Sequence, residues 1–249
     1  MIKRYKVIIL LAFLMAPMIV YSQTPLPRVT IGIDESQRPE DFVLSIKIVI
    51  LLTILALAPS ILIMMTSFVR LIIVFHFIRT SLATQTVPPN QLLVGLALFI
   101  TFFIMKPVIN EINENAIQPY LSREITQSQA IERSIKPLKK FMLSQTRAKD
   151  LQLFIDMRGE GLPQSPDELS LSIVVPAFII SELKTGFQIG FLLYLPMLLI
   201  DMLVASVLLS LGMMMLPPIM ISMPFKILLF VLVDGWHLIV ESLVKGFMR

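Results

Sequence analysis

The chain has no cysteine, and its 249 residues include only two histidines and one tryptophan. Without cysteine there can be no disulfide, no thiolate nucleophile and no iron–sulfur cluster. Two isolated histidines cannot form a zinc site without carboxylate help. The sequence therefore predicts no metal site, no cofactor and no catalytic residue, so we do not expect an enzyme. One tryptophan and four tyrosines are also too few for a pronounced aromatic belt at a membrane surface.

Charge is scarce as well, because 15% of the residues are charged and 56% are hydrophobic, with a mean hydropathy of +0.83. This composition is far more apolar than that of a soluble domain and indicates a protein that lies in or against a bilayer. The net charge of +4 does not point to nucleic acid. Of the 21 basic residues, Lys3, Arg4 and Lys6 lie in a segment that we expect to be removed, which leaves 18 against 17 acidic residues.

Residues 1–22 have the pattern of a signal peptide. A basic start is followed by an apolar run at 7–16 and by a small-residue cleavage site before Gln23. Cleavage after Ser22 would leave residues 23–41 as an extracytoplasmic N-terminal segment. The alternative is an uncleaved first membrane span.

Residues 42–105 are predicted to form a first helical hairpin. The 22 consecutive uncharged residues at 48–69 cover the ~30 Å hydrocarbon layer at 1.5 Å per residue, and Pro59 should kink this helix. A second apolar helix at 92–105 is expected to end at Lys106-Pro107.

The connection between these two helices contains a turn-rich stretch at 84–90. It follows Arg70 and Arg79, which have no acidic residue between them. The positive-inside rule therefore predicts that this connection is cytoplasmic.

Residues 106–168 change character, with nine basic and nine acidic side chains and apolar residues at helical spacing. This pattern predicts a small polar helical insert outside the bilayer, and its zero net charge favours the periplasmic side. Ser165-Pro166-Asp167-Glu168 resembles a capping box, so a new helix is expected to begin there.

Residues 169–249 are almost continuously apolar and are interrupted by Pro176, Pro196, Pro217, Pro218 and Pro224. We expect helical hairpins with broken helices, since Pro interrupts the backbone hydrogen bonds of a helix. Such breaks persist at membrane depth only where the freed groups face protein or water. The fold class predicted for the whole chain is therefore all-α, a polytopic membrane-type protein with broken helical hairpins and a small extracytoplasmic helical insert.

Charged residues within these apolar segments need a partner or a function. Glu182 and Lys184 are expected to pair with each other or between subunits, and a proton or ion pathway is the alternative. Asp201 and Asp234 lack the G-x-G-D setting of an intramembrane aspartyl protease. Neither His76 nor His237 has a second metal ligand at suitable spacing; both are therefore interpreted as ordinary polar residues.

The run Met213-Met214-Met215 precedes Pro217-Pro218. Three successive residues cannot share one helix face, and the two prolines prevent the helix from continuing, so the methionines should lie on a loop. One interpretation is an apolar loop within the core. The other is a deformable hydrophobic collar, since unbranched Met side chains repack around varied shapes and apolar constrictions can seal pores.

Several blocks in fixed order resemble the FliP family of flagellar type III export proteins, whose injectisome counterpart is the SctR group. They include Thr66-Ser67-Phe68-Val69-Arg70 and the segment 176–190, and the resemblance covers residues 47–248. One departure is Thr84-Gln85-Thr86-Val87, where the family has Gly-Thr-Gln-Gln. The residues matching the family motif are Pro176, Phe178, Gly186, Phe187, Gly190, Pro217, Pro218, Asp234, Gly235 and Trp236.

The resemblance implies a pore-forming, structural subunit of an export gate in the bacterial inner membrane, at the flagellar basal body and partly exposed to the periplasm. It implies a pentamer that joins FliQ and FliR, with FlhB and other basal-body components as further partners. Unfolded export substrates would pass a gasket of Met213, Met214 and Met215, with lipid around the assembly. Glu182, Lys184, Asp201 and Lys226 would then be inter-subunit charges.

Two alternatives to a flagellar gate subunit remain. The first is an injectisome-type gate, which the signal peptide argues against. The second is a small-solute secondary transporter, which would need a compact binding site formed by broken helices at the bilayer midplane.

Overall fold

The computed structural model describes residues 39–159, 165 and 168–248. The predicted signal peptide and most of the predicted N-terminal segment therefore lie outside the described residues. Within the described ranges the chain is helical and contains no strand. The helices are α1 Pro39–Met64, α2 Phe68–Ser81, α3 Asn90–Ile112, α4 Gln118–Leu121, α5 Gln127–Gln145, α6 Ala148–Arg158, α7 Leu171–Ser210, α8 Pro218–Leu232 and α9 Gly235–Phe247.

Among the described residues, three helical stretches are long and apolar enough to cross a membrane: Ser45–Met64, Asn90–Leu121 and Leu171–Ser210. The pair α8 and α9 passes the same test together but is bent by 61° at a short break. The predicted class of all-α membrane protein is therefore confirmed.

The chain forms two compact units, Met1–Thr53 and Ile54–Arg249. In the described part of the first unit, α1 begins at Pro39, and its apolar side chains such as Val49 and Leu51 are exposed. All remaining elements belong to the second unit.

The predicted uncharged span at 48–69 is divided in the structure, because α1 ends at Met64 and α2 begins at Phe68. The hydroxyl of Thr66 donates to the carbonyl of Ile63 at 2.6 Å and accepts the N–H of Phe68 at 3.3 Å. These local bonds satisfy backbone groups at the break, which hydropathy alone does not reveal.

The prediction that the second apolar helix ends at Lys106-Pro107 is wrong. Helix α3 passes through Pro107 to Ile112 and continues by a π-helical turn, Asn113–Ile117, into α4. A proline removes one backbone donor and crowds one carbonyl, so a helix that is otherwise well packed can continue beyond it.

The expectation of breaks at Pro176 and Pro196 is also wrong, since α7 runs without interruption for 40 residues. At 1.5 Å per residue it is ~60 Å long, about twice the hydrocarbon thickness. It begins at Leu171. The predicted capping box at 165–168 lies partly outside the described residues, which include only Ser165 and Glu168 of it. The expected break at Pro217-Pro218 is present, and α8 continues through Pro224 to a second break before α9.

Two apolar cores hold the second unit together. In the first, α2 is central, with Leu71, Val74 and Phe75 fully buried against α3, α7, α8 and α9. In the second, Met142 and Ile155 of the polar insert pack against the N-terminal part of α7. The insert is helical, as predicted, and its apolar face packs directly on α7. Its periplasmic location remains a prediction.

Candidate functional site

The first cluster of charged residues at the site joins α2 to α7. Arg70 Nε donates to Glu182 Oε2 at 2.9 Å, and Arg70 Nη2 donates to Glu182 Oε1. Arg70 also donates to Gln145 Oε1 at 3.2 Å, and its guanidinium lies 3.8 Å from the ring centroid of Phe247. Glu182 has 0% exposure. Such a bidentate pair, stacked on an aromatic ring, is the geometry that arginine provides and lysine does not.

This pair corrects the prediction that Glu182 has its partner on a neighbouring subunit. The partner is Arg70 of the same chain, whereas sequence reasoning had placed Arg70 at the edge of a cytoplasmic connection. Lys184 is exposed and forms no hydrogen bond or ion pair within the described ranges. Two residues apart on one helix, Glu182 and Lys184 point in different directions. An inter-subunit role for Lys184 remains a prediction.

Polar contacts beside this pair fasten the insert to α7. Ser181 Oγ donates to Asp150 Oδ2 at 2.7 Å and accepts the backbone N–H of Arg147 at 3.0 Å. The Arg147 guanidinium donates to Thr185 Oγ1 at 3.3 Å and to Gln188 Oε1. Sequence reasoning missed this contact, because no local pattern connects residues more than 30 positions apart.

A second charged group joins α7 to α8. Lys226 Nζ donates to Asp201 Oδ2 at 2.5 Å, and Ser222 Oγ donates to Asp201 Oδ1. Lys226 and Ser222 are buried, one helical turn apart on α8. Asp201 and Lys226 were predicted to be inter-subunit charges, but they pair within the chain because the two helices fold back on each other.

The methionine run lies on the loop between these two helices, as predicted. Gly212 has a φ of +74°, the N–H of Met213 donates to the carbonyl of Leu208 at 2.9 Å, and that of Gly212 donates to Leu209 at 3.0 Å. This pair of bonds, with glycine in the left-handed conformation, closes the C-terminus of α7 as a Schellman motif. Pro217 and Pro218 then start α8.

The three methionine side chains are increasingly exposed along the loop. Met213 is 47% exposed, Met214 79% and Met215 98%. They contribute little to the core of this chain, so the interpretation as an apolar core loop does not fit.

The family-like block at 176–190 forms the contact of α7 with α2. Phe178 is fully buried, Gly186 faces Ile73, and a Cβ at Gly190 would lie 2.4 to 2.8 Å from atoms of Phe77. The rings of Phe77 and Phe187 meet edge to face at 5.3 Å. The glycines are therefore required by the close approach of the two helices.

The block Asp234-Gly235-Trp236 forms the break between α8 and α9. Asp234 has a φ of +49°, and Gly235 lies so close to the ring of Phe230 that a Cβ would overlap it. Trp236 packs edge to face on Phe230 at 5.6 Å and on Phe75 at 6.2 Å. These residues fix the bend.

The two histidines lie on different helices, His76 on α2 and His237 on α9. Nδ1 of His76 lies 3.0 Å from Nη2 of Arg79. The described residues include no cluster of three or more His, Cys, Asp or Glu side chains that could hold a metal ion.

Comparison with known proteins gives a consistent result. A model described as the FliP family matches residues 51–243. The flagellar biosynthetic protein FliP of Bacillus subtilis (strain 168) is 55% identical over 217 residues, which cover 87% of this chain and 98% of the relative. The FliP of Pectobacterium carotovorum subsp. carotovorum is 50% identical over 208 residues, or 84% of this chain and 81% of the relative. The FliP of Aquifex aeolicus (strain VF5) is 46% identical over 230 residues, which cover 92% of this chain and 94% of the relative.

Proposed function

Because the chain belongs to the FliP family, we propose that it is a pore-forming, structural subunit of the flagellar protein-export gate. It is a helical, membrane-associated component of the flagellar export apparatus. In the proposed role it passes unfolded flagellar proteins across the inner membrane, with Met213, Met214 and Met215 as the gasket.

The observation that carries this proposal is the exposed methionine loop at the tip of the hairpin formed by α7 and α8. The Schellman closure at Gly212 fixes where α7 ends, and Pro217-Pro218 fixes where α8 begins. The Asp201–Lys226 pair joins the two helices behind the loop. Three long, flexible apolar side chains are therefore presented on a firm support, which suits a seal that must fit changing chain shapes.

The large apolar surface that this chain leaves uncovered supports the proposal that it assembles with other subunits. Residues such as Phe191, Leu199 and Leu203 of α7 and Leu228 and Val231 of α8 are exposed. In water such a surface marks an interaction site. We propose that further copies of the chain in a pentamer, FliQ, FliR and membrane lipid cover it, with FlhB as a further partner of the gate.

The first test replaces Met213, Met214 and Met215 together with alanine. We expect the gate to assemble, because these exposed side chains hold no core together, and the cost should be well below the ~2 to 5 kcal/mol of a buried Met→Ala change. The pore should leak ions, since a shorter apolar constriction is wider and easier to wet. Complex yield and membrane conductance are measured in the same strain.

The matched control replaces the same three residues with leucine, which keeps the apolar volume and should keep the seal. An intact assembly of the alanine variant that stays as tight to ions as the wild type would contradict the gasket. Loss of assembly before any leak would favour a structural loop.

A second test addresses the position of the polar insert. Ser128→Cys, on the exposed face of α5 in this cysteine-free chain, should react with a membrane-impermeant maleimide supplied on the periplasmic side. Thr86→Cys, exposed in the connection before α3 that is predicted to be cytoplasmic, is the matched control and should react only after lysis. The opposite labelling pattern would reverse the proposed topology.

A further inference from the structure

Methionine is the only source of sulfur in this chain, since cysteine is absent. Its side chains range from full burial, as for Met142, to the nearly complete exposure of Met215. Oxidation of methionine depends on access of the oxidant to the sulfur, and it turns a flexible apolar side chain into a polar one. Of the methionines that the structure describes, the most exposed therefore lies in the loop whose proposed role depends on being apolar.

We propose that Met213, Met214 and Met215 form an oxidation site, and that their conversion to methionine sulfoxide opens the export gate to water and ions. This inference rests on the proposed gasket function and adds a modification chemistry to it. The oxidant is a two-electron oxygen donor of the peroxide class.

The reaction balances without any group from the protein other than the thioether. The sulfur lone pair attacks one oxygen of hydrogen peroxide, an S–O bond forms and the O–O bond breaks. The proton on the transferred oxygen goes to the departing oxygen, which leaves as water. Sulfur loses two electrons and peroxide gains them.

In the proposed gate the loop borders the channel on either side of the seal, which distinguishes it from the other exposed methionines, Met64, Met157, Met202, Met220 and Met248. Met202 and Met220 lie in the apolar helices α7 and α8, where lipid or neighbouring subunits would cover them in the proposed gate. Met157, at 75% exposure, lies near the end of α6 in the polar insert. It should be oxidised as well, but it lies at no proposed seal, so it is the natural control.

The physical consequence follows from the wetting of narrow pores. An apolar constriction excludes water because its wall offers no hydrogen bonds. A sulfoxide oxygen is a strong acceptor, and up to three would be added per chain. Oxidation should therefore fill the constriction with water without widening the backbone or breaking the Schellman closure.

The test treats membranes carrying the assembled protein with hydrogen peroxide, maps sulfoxides by peptide mass spectrometry and records ion conductance. We expect Met214 and Met215 to oxidise roughly tenfold or more faster than Met142, with a several-fold rise in conductance. Sulfoxide reductases for both epimers should restore the seal. Conductance of Met213→Leu/Met214→Leu/Met215→Leu should not rise when peroxide is added, relative to the same variant without peroxide, whereas that of Met157→Leu should rise as in the wild type.

Two results would overturn the inference: oxidation of the loop no faster than that of Met142, or a fully oxidised loop with unchanged conductance. The variant in which Met213, Met214 and Met215 are all alanine distinguishes a wrong oxidation proposal from a wrong gasket proposal. If that variant leaks without oxidant while the oxidised wild type stays tight, only the oxidation step is wrong. If neither leaks, the gasket is wrong too.

Discussion

Replacement of Glu182 by alanine should destabilise the folded chain by about 3 to 5 kcal/mol, the range for breaking a buried ion pair by removing one partner. The cost arises because Arg70, which is itself buried, keeps its charge but loses both of its hydrogen bonds to the carboxylate. Arg70 also contacts Gln145 and Phe247, so its displacement should loosen α5 and α9 as well as α2.

The measurement is thermal unfolding of the detergent-solubilised protein, together with the yield of the assembled complex. Arg70→Met/Glu182→Leu should recover most of the loss, because an apolar pair of similar volume often replaces a buried ion pair at little cost. Glu132→Ala removes an exposed partner of Lys136 and should leave unfolding unchanged. A complex that assembles normally with Glu182→Ala but no longer exports would favour the proton-pathway interpretation instead.

The sequence predicted the features that depend on nearest neighbours along the chain. The three methionines were predicted to leave the helix because two prolines follow them. The structure adds that Gly212 supplies the positive φ that ends α7. The apolar composition and helical spacing predicted an all-α membrane protein. None of these conclusions needs knowledge of which helix packs on which.

The errors have a common physical origin in tertiary packing. Pro107, Pro176 and Pro196 were expected to end or break helices, yet α3 and α7 continue through them. A proline costs ~3 kcal/mol in a helix interior; at Pro176 the full burial of Val174 and Phe178 can offset this cost. A propensity argument does not include that burial.

Charge pairing was mistaken for the same reason. Glu182 and Lys226 were expected to pair between subunits, but their partners lie 112 and 25 residues away along the chain. The spacing of residues on one helix says nothing about such partners. Inter-subunit pairing was therefore assigned where the fold provides a partner within the chain.

The crossing of α2 and α7 gives the second large expected effect. Arg70 meets Glu182, Ile73 meets Gly186 and Phe77 meets Gly190. From one contact to the next, the position moves by about one helical turn toward the C-terminus of both helices. Helices α2 and α7 therefore run in the same direction, with their backbones close together. The two glycines allow this approach, and the ion pair lies at one end of the contact.

Gly190→Ala should therefore be strongly destabilising, although alanine has the higher helix propensity. The added Cβ would lie 2.4 Å from Cγ and 2.8 Å from Cβ of Phe77, whose ring is also held by Phe187. Overpacking of this kind costs ~1 to 3 kcal/mol or more, and a wider crossing would also pull Arg70 away from Glu182.

Gly95→Ala in α3 is the matched control, because the added Cβ meets nothing within 4 Å. This variant should be as stable as the wild type or more stable by up to ~1 kcal/mol. Thermal unfolding of the two variants compares them directly. Equal stability would mean that the helices do not approach as closely as the structure shows, whereas partial rescue of Gly190→Ala by Phe77→Leu would identify the ring as the obstacle.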